Sequence, residues 1–351
     1  MYATLFPFSD WSWPPGAALL DLLRLPWPRW YDRFDVASNV IAYAPLGAAL
    51  ALRVSNAASR PGWYAVASAT AGAAVLSYGL EVGQQFLAAR VPSLLDTTAN
   101  VLGALLGAAL CVLAARLGWL QRLASEGDRW LLTTGVTGPL LLVLWPVALL
   151  FPVPMPLGLG QIGPYLREAT LDLLVDLPGQ QGLLVWLEES GARMTVTPSF
   201  TALVVAVGMG GTCAMAFACT KAGWHRLIVV ALVLSMAVLG SSLSALLSFG
   251  PQHAWSWAGP GVWPGLLLAA ALACLLISIR PIVATALGLM ALAALVTAVS
   301  VAPVDPYFAQ NLQSWELGRF IRFHGLIQWL SWLWPYAALV WLLGRLKMLG
   351  A

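Results

Sequence analysis

The sequence predicts an all-α fold, a polytopic helical membrane protein with about nine transmembrane helices. Composition and patterning carry that prediction. Of 351 residues, 60% are hydrophobic and only 9% are charged, whereas a soluble domain carries about 25% charged residues. So little polar surface cannot cover an apolar interior against water. The apolar residues are also gathered into runs long enough to cross a bilayer, and Pro, Gly and Arg separate the runs.

Taken in order, residues 1–35 (MYATLFPFSDWSWPPGAALLDLLRLPWPRWYDRFD) are rich in Trp, Pro and Asp. They lack the basic start and unbroken apolar stretch of a signal peptide, so an interfacial segment is expected. Spans are then predicted at 36–52, 63–88, 94–115, 133–153, 197–219, 227–249, 262–279, 281–302 and 326–344. Breakers such as Arg60-Pro61-Gly62, Val91-Pro92-Ser93 and Arg280-Pro281 punctuate them. Within the first span, Pro45 with Gly47 is expected to loosen the helix near mid-membrane. The stretch 160–194 is different. Glu168, Asp172, Asp176, Glu188 and Glu189 would each cost about 2.5–3.5 kcal/mol at a helix centre. Its leucines instead suggest one or two amphipathic helices resting on the outer face.

This divides the chain into an extracytoplasmic interfacial segment (1–35), a three-helix core (36–115), a linker with one span and an outer amphipathic loop (116–196), and a C-terminal five-helix block (197–351). Charge orients it. Arg53, Arg60, Arg116, Arg122, Arg129, Lys221, Arg226, Arg280, Arg345 and Lys347 fall in one set of loops, with Glu126 and Asp128 as the only acids. That set is expected to be cytoplasmic, C-terminus included. The N-terminus, the 88–93 turn and the loops 154–196, 250–261 and 303–325 are then expected outside. The predicted location is the bacterial cytoplasmic membrane.

Several chemistries find no support. The four cysteines lie in apolar runs without CxxC spacing, and the three histidines are scattered, so neither a metal site nor a redox pair is indicated. Gly208, Gly210 and Gly211 sit inside an apolar helix rather than after a strand, and nucleic acid is not an expected partner. The tryptophans gather near predicted span ends, as in an aromatic belt. Within WELGRFIRFHGLIQWLSWLW, Arg319, Arg322 and His324 lead into a Trp-dense helix start, which also suits an aromatic-basic anchor.

One stretch departs from this apolar pattern. Residues 81–100 read EVGQQFLAARVPSLLDTTAN. Glu81 and Gln85 are four apart near the outer end of the second predicted span. Asp96 and Asn100 are four apart near the outer end of the third, and Arg90 and Ser93 lie in the turn between. Asp35 and Asn39 begin the first span. Glu81 and Asn100 are expected at a common depth of about 10 Å. A carboxylate inside a span is costly and normally faces a cavity or a partner. Gly103 and Gly107 follow as a small-xxx-small pair that admits a neighbouring backbone.

The pattern Asn39-x5-Pro45-x-Gly47, Glu81-x3-Gln85, Arg90-x2-Ser93-x2-Asp96-x3-Asn100-x2-Gly103-x3-Gly107 resembles the VanZ-like family of bacterial membrane proteins. The resemblance covers about residues 1–115, and TLFPFSDW resembles the outer segment that precedes the motif. Relatives usually carry one more hydrophobic helix ahead of that segment, and whether one precedes Met1 is left open. Residues 133–351 read as an extension of six helices. The family's founding member is associated with low-level teicoplanin resistance, which is a phenotype rather than a reaction.

Two functions are carried forward. In the first, the protein acts at the outer leaflet on a lipid-linked or cell-envelope precursor. Glu81 and Asp96 would be the catalytic acid–base pair. Arg90 would clamp a phosphate or carboxylate, with Asn100, Gln85, Asn39 and Ser93 as further substrate-binding groups. Carboxylates there offer oxygen ligands, yet no spacing specifies a cation, and no metal or cofactor is assigned. In the second, the cluster holds together a non-catalytic scaffold or transporter-like protein. Whether the chain is an enzyme is left open.

Overall fold

A computed structural model describes residues 11–14, 20–58, 61–87, 90–132, 135–175, 197–301 and 321–350, with a few isolated positions besides. Among the described residues the regular structure is helical: α1 Arg33–Ala58, α2 Gly62–Gln84, α3 Leu94–Arg116, α4 Trp119–Trp130, α5 Thr137–Ala148, α6 Ile162–Val175, α7 Pro198–Cys219, α8 His225–Phe249, α9 Val262–Leu275, α10 Pro281–Val301 and α11 Ile321–Gly350. Each predicted span coincides with one of these helices. Seven are long and apolar enough to cross a membrane, whereas α5 and α9 are shorter apolar helices. A helix of 12 residues, such as α5, rises only about 18 Å, so α5 and α9 do not cross unaided. The stretch 176–196, with Asp176, Glu188 and Glu189, lies outside the described residues, as does Arg319.

The chain forms two compact units, 1–127 and 128–351.

In the first unit, α1 packs most extensively on α3, and α2 packs on both. Glycine makes this possible. A Cβ on Gly103 or Gly107 would collide with the carbonyl oxygens of Val40 and Ala44, and one on Gly47 would collide with that of Ala104. The sequence had suggested a loosened helix at Pro45 and Gly47. Instead α1 runs unbroken through Pro45, and Gly47 serves close approach to α3. Below, Ala51, Ala65, Ala69 and Ala108 close the seam.

Helix α4 falls where a connecting loop was expected, and none of its residues is buried. Its Trp119 and Leu123 are exposed, which fits a helix lying along the interface.

In the second unit, α7 is the most deeply buried of the spans. Thr197 caps it, its hydroxyl accepting from the Phe200 N–H at 3.2 Å, with Pro198 opening the helix as position N1 favours. Helices α9 and α10 pack along it, and α11 packs on α5 and α10. Leu157, Leu159, Val205, Met209, Leu292, Leu295, Trp334 and Leu342 belong to the shared core.

Residues 149–161 form the least expected part of this unit. The sequence places 154 onward in an outside loop, yet Met155, Leu157 and Leu159 are buried. Irregular backbone survives among membrane helices where protein encloses it. Gly160 shows how. Pro335 lies four residues after Ser331 within α11 and has no N–H to give that carbonyl. The Gly160 N–H donates to Ser331 O at 3.1 Å, and the Tyr336 hydroxyl donates to Gly160 O at 3.2 Å.

Candidate functional site

The site begins with how α2 ends. The N–H groups of Gln85, Phe86 and Leu87 bond three residues back, to Val82, Gly83 and Gln84, tightening the chain out of the α-helix. The helix was expected to reach residue 88 but stops at Gln84. Glu81 is therefore in the last turn, about 5 Å from the helix end rather than about 10 Å.

That difference separates the polar residues into tiers. At the hairpin end, Gln85 Nε2 donates to Leu22 O at 2.6 Å, and the Tyr78 hydroxyl donates to the carbonyl of Leu23. Leu94 N–H donates to Pro26 O at 3.0 Å, and Ser12 N–H to Phe86 O at 2.9 Å. Trp13 packs edge-on to Phe86 with centroids 5.5 Å apart. The N-terminal segment is thereby laced across the ends of α2 and α3.

The middle tier sits at the start of α3. Ser93 caps this helix, and its hydroxyl accepts from the Asp96 N–H at 3.3 Å. In a capping box the residue at Asp96's position would return its side chain to the Ser93 N–H. Here Glu81, from the neighbouring helix, takes that N–H at 2.9 Å. Asp96 Oδ1 accepts from Asn39 Nδ2 at 2.9 Å. Both carboxylates thus lie at a helix N-terminus, where the dipole favours negative charge. Glu81 is 3% exposed.

The deepest tier lies one turn below. Asn100, 6% exposed, donates to Ser77 Oγ at 2.9 Å, and the Tyr43 side chain also bonds Ser77. Asn100 Oδ1 and the nearby Thr97 Oγ1 are buried without a hydrogen-bond partner. Glu81 and Asn100, expected at one depth, are on successive levels.

Asn39, Glu81, Ser93 and Asp96 are joined by these bonds, and Asn100 joins the same seam through Ser77. Gln85 turns to the N-terminal segment instead. Arg90 is half-buried in the hairpin loop, its N–H on Leu87 O at 3.0 Å. Among the described residues no three His, Cys, Asp or Glu side chains gather as metal ligands.

Ser77 and Tyr43 were not singled out from the sequence, although Ser77 precedes Glu81 by one turn. Sequence reasoning also counted Arg226 only as a loop charge. Arg226 is fully buried in the first turn of α8. Its Nη1 donates to Ile277 O and Ile279 O, both at 2.9 Å. Its Nη2 donates to Phe217 O at 2.8 Å and Thr220 O at 2.7 Å, and the guanidinium lies 4.8 Å from the Phe217 ring centroid. It satisfies carbonyls at the C-terminal end of α7 and in the connection from α9 to α10.

Fold and site together define a multi-pass helical membrane protein with a polar seam in its first three spans. Residues 3–115, which lie in the first unit, match the VanZ/LLP1 family model, and the helices of the second lie beyond that match. No curated protein and no solved structure matches the chain.

Proposed function

We propose that the VanZ-like unit handles a lipid-linked or cell-envelope precursor at the outer leaflet. One observation carries this reading: the polar seam, the Arg90 loop and the aromatic N-terminal segment are gathered at one end of one helical unit. Trp27, Trp30 and Tyr31 are exposed there, beside Arg24, Arg29 and Arg33 in sequence. Such a basic, aromatic surface suits a phosphate-bearing headgroup. Arg90 is the proposed clamp and Glu81 with Asp96 the proposed proton-handling pair, supported by Asn39, Ser93, Asn100 and Gln85. A link to teicoplanin resistance belongs to the same proposal.

A second reading has its own support. The Asn39–Asp96, Ser93–Glu81 and Asn100–Ser77 bonds join three helices, as a structural lock would. Glu81→Gln separates the two, since it removes charge at constant size. A strain lacking the protein is complemented with wild type or Glu81→Gln, and membrane abundance is measured beside the envelope-precursor profile. The precursor-handling role expects normal abundance and an uncorrected profile. Under a lock, breaking buried charge pairing costs about 3–5 kcal/mol. Parallel loss of abundance and function in both Glu81→Gln and Arg90→Ala would therefore sink the proposal.

A further inference from the structure

The second unit carries an unused donor where its irregular segment meets α11. Trp332 is 7% exposed, and its Nε1 has no hydrogen-bond partner. Buried indoles usually find one. Trp334 does so, donating to Leu141 O at 2.7 Å, and Trp257 donates to Ser242 Oγ at 3.0 Å. The adjoining Ser331, fully buried, also has a hydroxyl without a partner. Both belong to the turn of α11 on which Gly160 docks.

The surroundings describe a ligand. The Trp332 ring lies 4.8 Å from Tyr165, 5.6 Å from Trp329 and 6.3 Å from Phe151 between centroids. Tyr165 and Trp329 are exposed, 47% and 39%, so the cluster opens at one side while its donor stays buried. In the same irregular segment as Phe151, Leu157 holds a positive φ of 59°, a strained conformation for a branched side chain. Trp332 is seven residues into the apolar stretch Gly325–Gly350, about 10 Å along it. That stretch, at about 39 Å, is longer than the hydrocarbon, so Trp332 lies within about two helical turns of one membrane interface. An ordinary belt tryptophan at that level keeps its N–H in water, and Trp332 does not.

We infer that this corner is a binding site for the neutral sugar headgroup of a glycolipid. A donor-only indole N–H calls for an acceptor oxygen, which a ring hydroxyl supplies. The flat faces of Tyr165 and Trp329 suit the C–H faces of a pyranose. The aromatic neighbours carry no charge, which gives an anionic headgroup no partner among them. The site lies wholly in the second unit and does not rest on the function proposed for the first.

The test uses the full chain in nanodiscs, with lipid retention read by native mass spectrometry. Monoglucosyl-dioleoylglycerol is offered against dioleoylglycerol, which has the same tails and ester carbonyls without the sugar. Wild type should prefer the glucosyl lipid. Trp332→Phe, which keeps an aromatic ring and removes the N–H, should weaken that preference about five-fold, the size expected for one neutral hydrogen bond. Tyr165→Leu, at an exposed ring, should weaken it with unchanged thermal stability, so a folding defect in the first variant leaves the site testable. Equal retention of both lipids by wild type overturns the inference, as does an unchanged preference in both variants.

Discussion

Arg226 and Glu81 are both charged residues buried among membrane helices, and their surroundings give them different work. Arg226 meets four backbone carbonyls. Its planar fork reaches the end of α7 and the connection from α9 to α10 at once, which the single ammonium of a lysine cannot reproduce. Arg226→Met should orphan those carbonyls and destabilise the protein by at least about 3 kcal/mol, and Arg226→Lys should recover only part of the loss. Thermal unfolding in detergent measures both, and a Met variant as stable as wild type would refute this account. Glu81 instead accepts the free N–H at the start of α3. Its neighbour Ser93, placed from the sequence only in the turn, caps that helix, and Ser followed three residues later by an acid is a start signal. That the return bond would come from another helix was not legible, since capping rules speak only of one segment.

At the scale of elements, the spans follow from hydrophobic run length, and the hairpin glycines set how closely the spans pack. The α1–α3 seam depends on Gly103 and Gly107, where any Cβ meets α1 backbone. Gly103→Val should cost about 1–3 kcal/mol or more through overpacking and reduce accumulation in the membrane. Gly72 lies in α2 with nothing within 4 Å of an added Cβ, so Gly72→Ala should be neutral or slightly stabilising. Equal accumulation of the two variants, measured by quantitative blotting of membranes, would remove close packing as the reason for the glycines. The small-xxx-small spacing pointed to some close neighbour. Its identity as α1 required the fold. Helix α4 escaped the sequence reading because a 12-residue stretch with Arg122, Glu126, Asp128 and Arg129 resembles a charged loop until its amphipathic face is considered.

At the scale of the whole molecule, the alternation of basic loops predicts a cytoplasmic C-terminus. A periplasm-active phosphatase fused after Ala351 should be silent, while a cytoplasm-active fluorescent fusion there should glow. The opposite pair of results would invert every span. The division into two units at 127 and 128 agrees with a VanZ-like match that ends at residue 115. By itself the sequence determined that the chain is helical, membrane-embedded and multi-pass, and it singled out the polar stretch 81–100. These are local properties, set by run length, composition and spacing along one segment. Only the tertiary structure decided which residue each polar group meets, that Glu81 and Asn100 stand on separate levels, and that residues 155–160 are enclosed by protein. Those outcomes depend on where a helix stops and which backbone groups a neighbour leaves unpaired. The three tightening bonds after Gln84 and the missing N–H of Pro335 act on partners distant in the chain, and no pattern within a single segment encodes them.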